Sequence, residues 1–321
     1  MHVAVYGAGA LGAVFGVRLA KRAAVTVTFI VRARRVDEAH AVVIERVKKV
    51  RDRRESIERP ARSAEIPPDA DVILLAVGTE DLEAIAPNLS TSRAPIVVLT
   101  PMMPRDYARM REAFGDRVLA GMPAVVAYAR DDRVVRWWPA PAPTRIDEPR
   151  AGSHGEIVRA LAARLNEAGL PTRLELGVHE KNPATTVCFI PLGMAVAVAG
   201  GLEELARDAE LLALALRASR EGAAIAERIG RAEPLAALAP LVAQPLAMRA
   251  AASAVKRLSP EALFYVDEHF GRKLRVQHRQ MAEAMADLAR DRGLPHDALE
   301  ELARRLAEPR NASSEVGAGR A

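Results

Sequence analysis

A short apolar strand that runs straight into Gly7-Ala8-Gly9-Ala10-Leu11-Gly12 leaves this chain few folds to choose from. His2–Tyr6 supplies the strand, and a segment with helical periodicity follows from Leu11 to Ala23. In G-x-G-x-x-G the first glycine permits the tight turn, the second lets a diphosphate approach the main chain, and the third lets helix and strand pack closely. The helix N-terminus behind the turn offers free N–H groups and positive dipole to phosphate. In this setting the spacing points to a dinucleotide-binding βαβ unit, with Gly7, Ala8, Gly9, Ala10, Leu11 and Gly12 at the cofactor. The alternative is a glycine turn that serves packing alone.

The end of the second apolar run, Val25–Arg32, bears on which dinucleotide binds. An NAD site usually places Asp or Glu there, on the ribose 2′-hydroxyl. Here Ile30-Val31 is followed by Arg32-Ala33-Arg34-Arg35, and Asp37 and Glu38 come only later. A guanidinium matches the geometry of a 2′-phosphate, so the cofactor expected is NADP(H), with Arg32 as its first candidate. The alternative is a solvated basic loop. Val77, which closes a third run at Asp71–Val77, is placed beside the cofactor.

Further apolar runs at Pro95–Thr100, Val118–Tyr128 and Val134–Trp138 alternate with helical segments. That is the pattern of an α/β Rossmann fold, a parallel doubly wound sheet. A helix over Ala151–Gly169 and a strand over Thr172–Leu176 complete it, and from Pro183 to Arg310 the chain is helical throughout. The domains expected are therefore 1–177, an NADP-binding Rossmann domain, and 178–310, an all-α domain for substrate and dimerisation. A small polar tail at 311–321 is expected to be disordered. At 321 residues and 50% apolar content, two such cores can be filled.

The net charge is +5, which favours a small anionic substrate and is too slight to demand nucleic acid. Aromatic content is 4%, and the basic cluster Arg46–Arg54 (RVKKVRDRR) has no aromatic interleaving, so it reads as an exposed segment. The single cysteine, Cys188, excludes an internal disulfide and a cysteine-only zinc site, and it reads as inert core. No metal is expected. The apolar run Val187–Leu202 is short for a membrane span and contains Pro191, Gly193, Gly200 and Gly201, so it reads as a buried helix. The opening residues carry no targeting pattern, and the expected setting is cytoplasmic. Trp137-Trp138 is expected to anchor a loop near the active cleft.

Taken in order, these features resemble the ketopantoate reductase (2-dehydropantoate 2-reductase) family. Beyond GAGALG and Arg32, Phe189-Ile190-Pro191-Leu192 is similar to the family's I-N-P-L helix. Asp267-Glu268-His269-Phe270-Gly271-Arg272 resembles its D-I-x-x-G-R segment, and Gly293-Leu294-Pro295 a shortened form of its closing loop. The resemblance implies a Rossmann domain followed by a helical domain, with the active site in the cleft between. It implies NADPH-dependent reduction of a 2-oxo acid, which needs a hydride, a proton donor and a clamp for the carboxylate. It makes Lys181 the general acid, with Thr186 and Asp267 assisting. Strict counting back from Pro191 lands on Asn182, and a one-residue slip before Pro183 brings in Lys181. The alternative for Lys181 is an exposed lysine at a helix start.

The departures from the family pattern lie mostly in the catalytic half. An asparagine after the fourth strand falls at Pro101, a lysine after the third at Gly78, an asparagine past the lysine at Thr186, and a glutamate at Arg275. Arg275 would suit a carboxylate or phosphate on the substrate, or it pairs internally with Asp267 or Glu268. His179 and His278 are further possible proton donors, each read as a lone histidine in a structural or surface role. A homodimer is plausible from the apolar helical surface. The rival functional reading is a repurposed or catalytically inactive dinucleotide-binding homologue.

Overall fold

The computed structural model describes residues 1–23, 25–47, 53–130, 133–149, 152–237, 239 and 244–308. The tail at 311–321 and the middle of the basic cluster, 48–52, lie outside them. The chain divides into two compact units: Met1–Ala184 with Ile229–Arg231, and Thr185–Arg228 with the chain from Ala232 onward.

In the first unit the order is β1 (His2–Tyr6), α1 (Ala10–Arg22), β2 (Thr26–Ile30), β3 (Val42–Arg46), β4 (Arg53–Ile57), β5 (Ala61–Ser63) and β6 (Val72–Leu75). There follow α2 (Leu82–Ser90), β7 (Ile96–Val98), α3 (Pro104–Phe114), β8 (Val118–Met122), β9 (Val125–Ala129), β10 (Val134–Pro139), β11 (Thr144–Asp147), α4 (Ser153–Glu167) and β12 (Thr172–Glu175). Eight strands form the main sheet in the order β12-β11-β8-β7-β6-β1-β2-β5. From β8 across to β5 all neighbours are parallel, and β11 then joins β8 antiparallel. This is the doubly wound Rossmann sheet.

Alternation along β1 explains why both faces are covered. Val3 and Val5 point into a core with α1 and α4 residues such as Val14, Phe15, Leu161 and Leu165. Ala4 points the other way, into a core with Leu82 and Leu89 of α2 and Met110 of α3. The first core extends to a second sheet, four strands in the order β4-β3-β10-β9, against whose strands α1 also packs. The flanks of the basic cluster are therefore strand, paired from Val42↔Ile57 to Arg46↔Arg53, and not simply an exposed segment. Trp137 sits in β10 and is 1% exposed, packed in this core rather than anchoring a loop.

The unit ends on the first turn of α5 (Val178–Ala199), which is tied back to the sheet. The Val178 amide donates to Asp147 (2.7 Å) and Asn182 Nδ2 to the Gly121 carbonyl (2.8 Å). By length and composition α5 could cross a membrane, but most of it is buried. Cys188 lies on it, buried, and burial pushes its thiol pKa up.

The second unit is helical. It holds the rest of α5, α6 (Leu202–Arg207), α7 (Ala209–Ile229) and the helices Pro245–Leu258, Pro260–Tyr265, Arg275–Asp291 and Asp297–Ala307. A π-helical stretch spans Val266–Lys273. Glu221 of α7 accepts from the Ala298 and Leu299 amides and so satisfies the start of the last helix.

Candidate functional site

The glycine turn does what its spacing requires. Gly7 has φ +100°, and a Cβ there would stand 2.6 Å from the Ala76 carbonyl oxygen. A Cβ on Gly12 would overlap the Gly7 carbonyl oxygen, so only glycine lets α1 approach the strand end this closely. Gly9 is different: nothing lies within 4 Å of a Cβ built on it. It is the N-cap residue of α1, and the first bond of the helix runs from the Ala13 amide to the Gly9 carbonyl. The amides of Ala10, Leu11 and Gly12 thus start the helix beside open space, the arrangement that receives a diphosphate.

That space belongs to a cleft of about 680 Å³, lined among others by Gly7, Gly9, Arg32, Val77, Asp81 and Ile85. Ala8, Arg34 and Arg35 also face it. The structure therefore gathers Gly7, Ala8, Gly9, Arg32 and Val77 around one cleft, with Ala10, Leu11 and Gly12 forming the adjoining helical turn. Arg32 is largely exposed, and its guanidinium stands 3.6 Å from Asp81, also exposed. Arg35 is held by Glu38 (3.0 Å). Asp81 had no signal in the sequence, because it reaches the cleft from the loop before α2.

The proton-donor candidates sit at the start of α5. Residues 181 and 182 project about 100° apart on a helix, so both cannot face the same strand. Asn182 takes the side toward β8, and it is buried there. Lys181 turns to the end of β12 and pairs with Glu175. Glu175 also receives Arg145 (3.0 Å) and Arg173 (2.6 Å). Partial burial raises the Glu175 pKa, but hydrogen bonds from Lys181 and Arg173 outweigh it and hold the carboxyl below its usual range.

His179 is not a lone histidine. Its Nδ1 lies 3.0 Å from an Asp147 carboxylate oxygen, and its ring stacks on Tyr107 at 5.2 Å. Burial, with Asp147 alongside, pushes the Tyr107 hydroxyl up to about 12. A histidine held through Nδ1 by a carboxylate keeps Nε2 for proton transfer. This pair leaves no local signal, because its partners lie 32 positions apart along the chain.

The other expected site residues lie in the second unit. Thr186 is buried in α5. Asp267 accepts the Leu202 amide (2.8 Å) at the start of α6. Arg275 donates to the carbonyls of Ala197 (2.8 Å), Arg305 (3.2 Å) and Glu308 (2.8 Å), where helices end. His278 is fully buried, stacked on Phe270, and among the described residues neither ring nitrogen has a hydrogen-bond partner. Among the described residues no group of three or more His, Cys, Asp or Glu side chains is placed to hold a metal ion.

Residues 3–148 match the model of the ketopantoate reductase PanE/ApbA family. No curated protein sequence matches the chain. Among solved structures it is similar to a PanE/ApbA family ketopantoate reductase from Ralstonia eutropha JMP134, at 22% identity and TM-score 0.70 over 95% of this chain and 97% of that one. D-mandelate dehydrogenase, solved with NADH and anilino(oxo)acetate, is similar at 14% identity and TM-score 0.67, over 95% and 97%. A ketopantoate reductase from Staphylococcus aureus, described as dimeric, is similar at 16% identity and TM-score 0.64, over 95% and 97%. At these identities the likeness establishes the fold over nearly the whole chain. The likeness to the ketopantoate reductase family is carried in sequence by residues 3–148, a little under half of the chain.

Proposed function

We propose that this protein is an NADPH-dependent oxidoreductase that reduces a 2-oxo acid, or a related carbonyl, to the hydroxy acid. The observation that carries the reading is the open space over Gly9 in the same cleft as Arg32. The main chain of the glycine turn fits a diphosphate, and Arg32 with Arg34 fits a 2′-phosphate. When bound, the dinucleotide supplies a hydride to the carbonyl carbon. Lys181, or alternatively His179 two positions before it, holds the proton that the carbonyl oxygen takes up. Thr186 and Asp267 assist by the family resemblance, and Arg275, which departs from it, contacts a substrate carboxylate by the chemistry of its guanidinium. A small anionic substrate, a cytoplasmic setting and a homodimer belong to the same reading.

A second reading keeps dinucleotide binding without turnover. It is favoured by the pairing of Lys181 with Glu175 and by the hold of Arg275 on three carbonyls. NADPH oxidation against a panel of 2-oxo acids, with Lys181→Ala and His179→Ala as separate controls, tests both. Turnover that is lost in one control assigns the proton donor. Tight NADPH binding with no oxidation by any panel member selects the second reading.

Cofactor choice has its own test. Arg32→Ala is expected to weaken NADPH about tenfold or more and to leave NADH within about twofold, since only the 2′-phosphate contact is removed. Fluorescence titration of both nucleotides reads this out. Equal losses for both would assign Arg32 no part in the choice.

A further inference from the structure

At the far end of α1 from the glycine turn lies a second, smaller cavity, of about 150 Å³. Arg18 and Arg22 of α1, Arg46 of β3, Glu55 of β4, Trp137 of β10 and Glu167 of α4 line it, together with Gly169. Three guanidiniums here meet one available carboxylate. Glu55 Oε1 accepts from both Arg18 (3.0 Å) and Arg22, while Glu167 is held by Arg164 (2.7 Å). Arg46 has no ion-pair partner among the described residues. Its guanidinium lies 5.4 Å from the centre of the Trp137 ring, and that of Arg18 lies 5.5 Å from the same ring.

This arrangement is costly as it stands. Arg18 is 9% exposed, and among the described residues its Nε and the Nε of Arg46 are buried without acceptors, as is Glu55 Oε2 without a donor. Two like charges share one indole, and for the half-buried Arg46 the cation–π attraction is a modest return for its partial burial. Burial lowers the Arg18 pKa, Glu55 opposes this, and Arg22 and Arg46 add to the lowering. Gly169, at φ +70°, leaves room that a Cβ would take from the Arg18 guanidinium. What the cavity lacks is negative charge, and its size admits one small oxyanion with water but no nucleotide.

We propose that the cavity between α1, β3 and β10 is a binding site for a small oxyanion, a phosphate or carboxylate group, held by Arg46 and Arg18 beside Trp137. The site is separate from the dinucleotide cleft and does not depend on hydride transfer. Its link to that cleft is α1, which carries the glycine turn at one end and Arg18 and Arg22 at the other.

Trp137 makes the test direct, because the chain has only two tryptophans. In a Trp138→Phe background, inorganic phosphate is expected to change the Trp137 emission saturably, and sodium chloride of matched ionic strength is not. Arg46→Met is expected to raise the apparent Kd for phosphate about tenfold or more. Arg32→Ala, at the other cleft, is expected to leave that Kd unchanged. A thermal midpoint of the unmodified chain that rises with phosphate and not with matched chloride supports the site even if Arg46→Met fails to fold. An absent or unsaturable emission response overturns the proposal. So does phosphate affinity retained in Arg46→Met, or lost in Arg32→Ala.

Discussion

An alanine at Gly12 will leave the first unit unfolded, whereas, on the proposed function, an alanine at Gly9 will fold and lose most of its affinity for NADPH. The two positions are three residues apart in one motif, yet their surroundings are opposite. At Gly12 the added methyl would overlap the Gly7 carbonyl oxygen and stand 3.1 Å from the Val5 side chain. The oxygen belongs to the turn itself, so relief requires α1 to move off β1 and open the core around Val3, Val5 and Phe15. A cost above about 4 kcal/mol is expected, enough to remove most of a domain's stability. At Gly9 the methyl meets no protein atom. It enters the space in front of the first helical amides instead, where a diphosphate has to approach. Circular dichroism melting should separate the variants, and NADPH titration should show Gly9→Ala weakened about ten- to a hundredfold. Wild-type affinity in Gly9→Ala would place the diphosphate elsewhere.

Acid will destabilise the helical unit through His278, and His278→Phe will relieve it. Burial drives the His278 pKa down to about 4, with His269 nearby adding to the effect. An unfolded histidine titrates near 6.5. Between those values the unfolded chain binds a proton that the folded chain rejects. The contribution to stability is therefore complete above about pH 6.5 and is lost as the pH falls toward 4. The full span is on the order of 3 kcal/mol. His269, also lowered to about 4 by burial and then by Lys273, works in the same window. Phenylalanine at 278 would keep the stack on Phe270, 5.8 Å away, and remove two buried nitrogens that have no partner among the described residues. Unfolding in urea should show stability raised by about 1–2 kcal/mol at neutral pH and an acid midpoint moved lower. Coincident acid midpoints for the two proteins would assign the acid sensitivity to other groups.

The glycine turn and Arg32 were legible because their physics is local. Three glycines in six residues, a strand before and a helix after, contain the whole argument. The hairpin of β3 and β4 was hidden by its own charge: RVKKVRDRR looks solvated until Ile44 is seen packed in the core with α1. The order of residues places the proton-donor candidates at the start of α5 only to within one residue, and on a helix one residue is about 100°. That angle separates Asn182 on β8 from Lys181 on Glu175. His179 and Asp147 meet through the pairing of whole strands, and Arg275 reaches main-chain carbonyls. Neither kind of partner leaves a mark in the order of side chains.

The second sheet carries a consequence for how the chain reaches its native state. In it β10 runs parallel to β3, with Val134 opposite Val43, so segments about ninety positions apart must meet before that pair of strands exists. Closing so long a loop is slow compared with forming α1 or pairing β1 with β2. Trp137 lies inside this late pairing and opposite Arg46. Its emission should therefore lag behind the far-ultraviolet signal during refolding, marking the moment when the two halves of the first unit's sequence lock together.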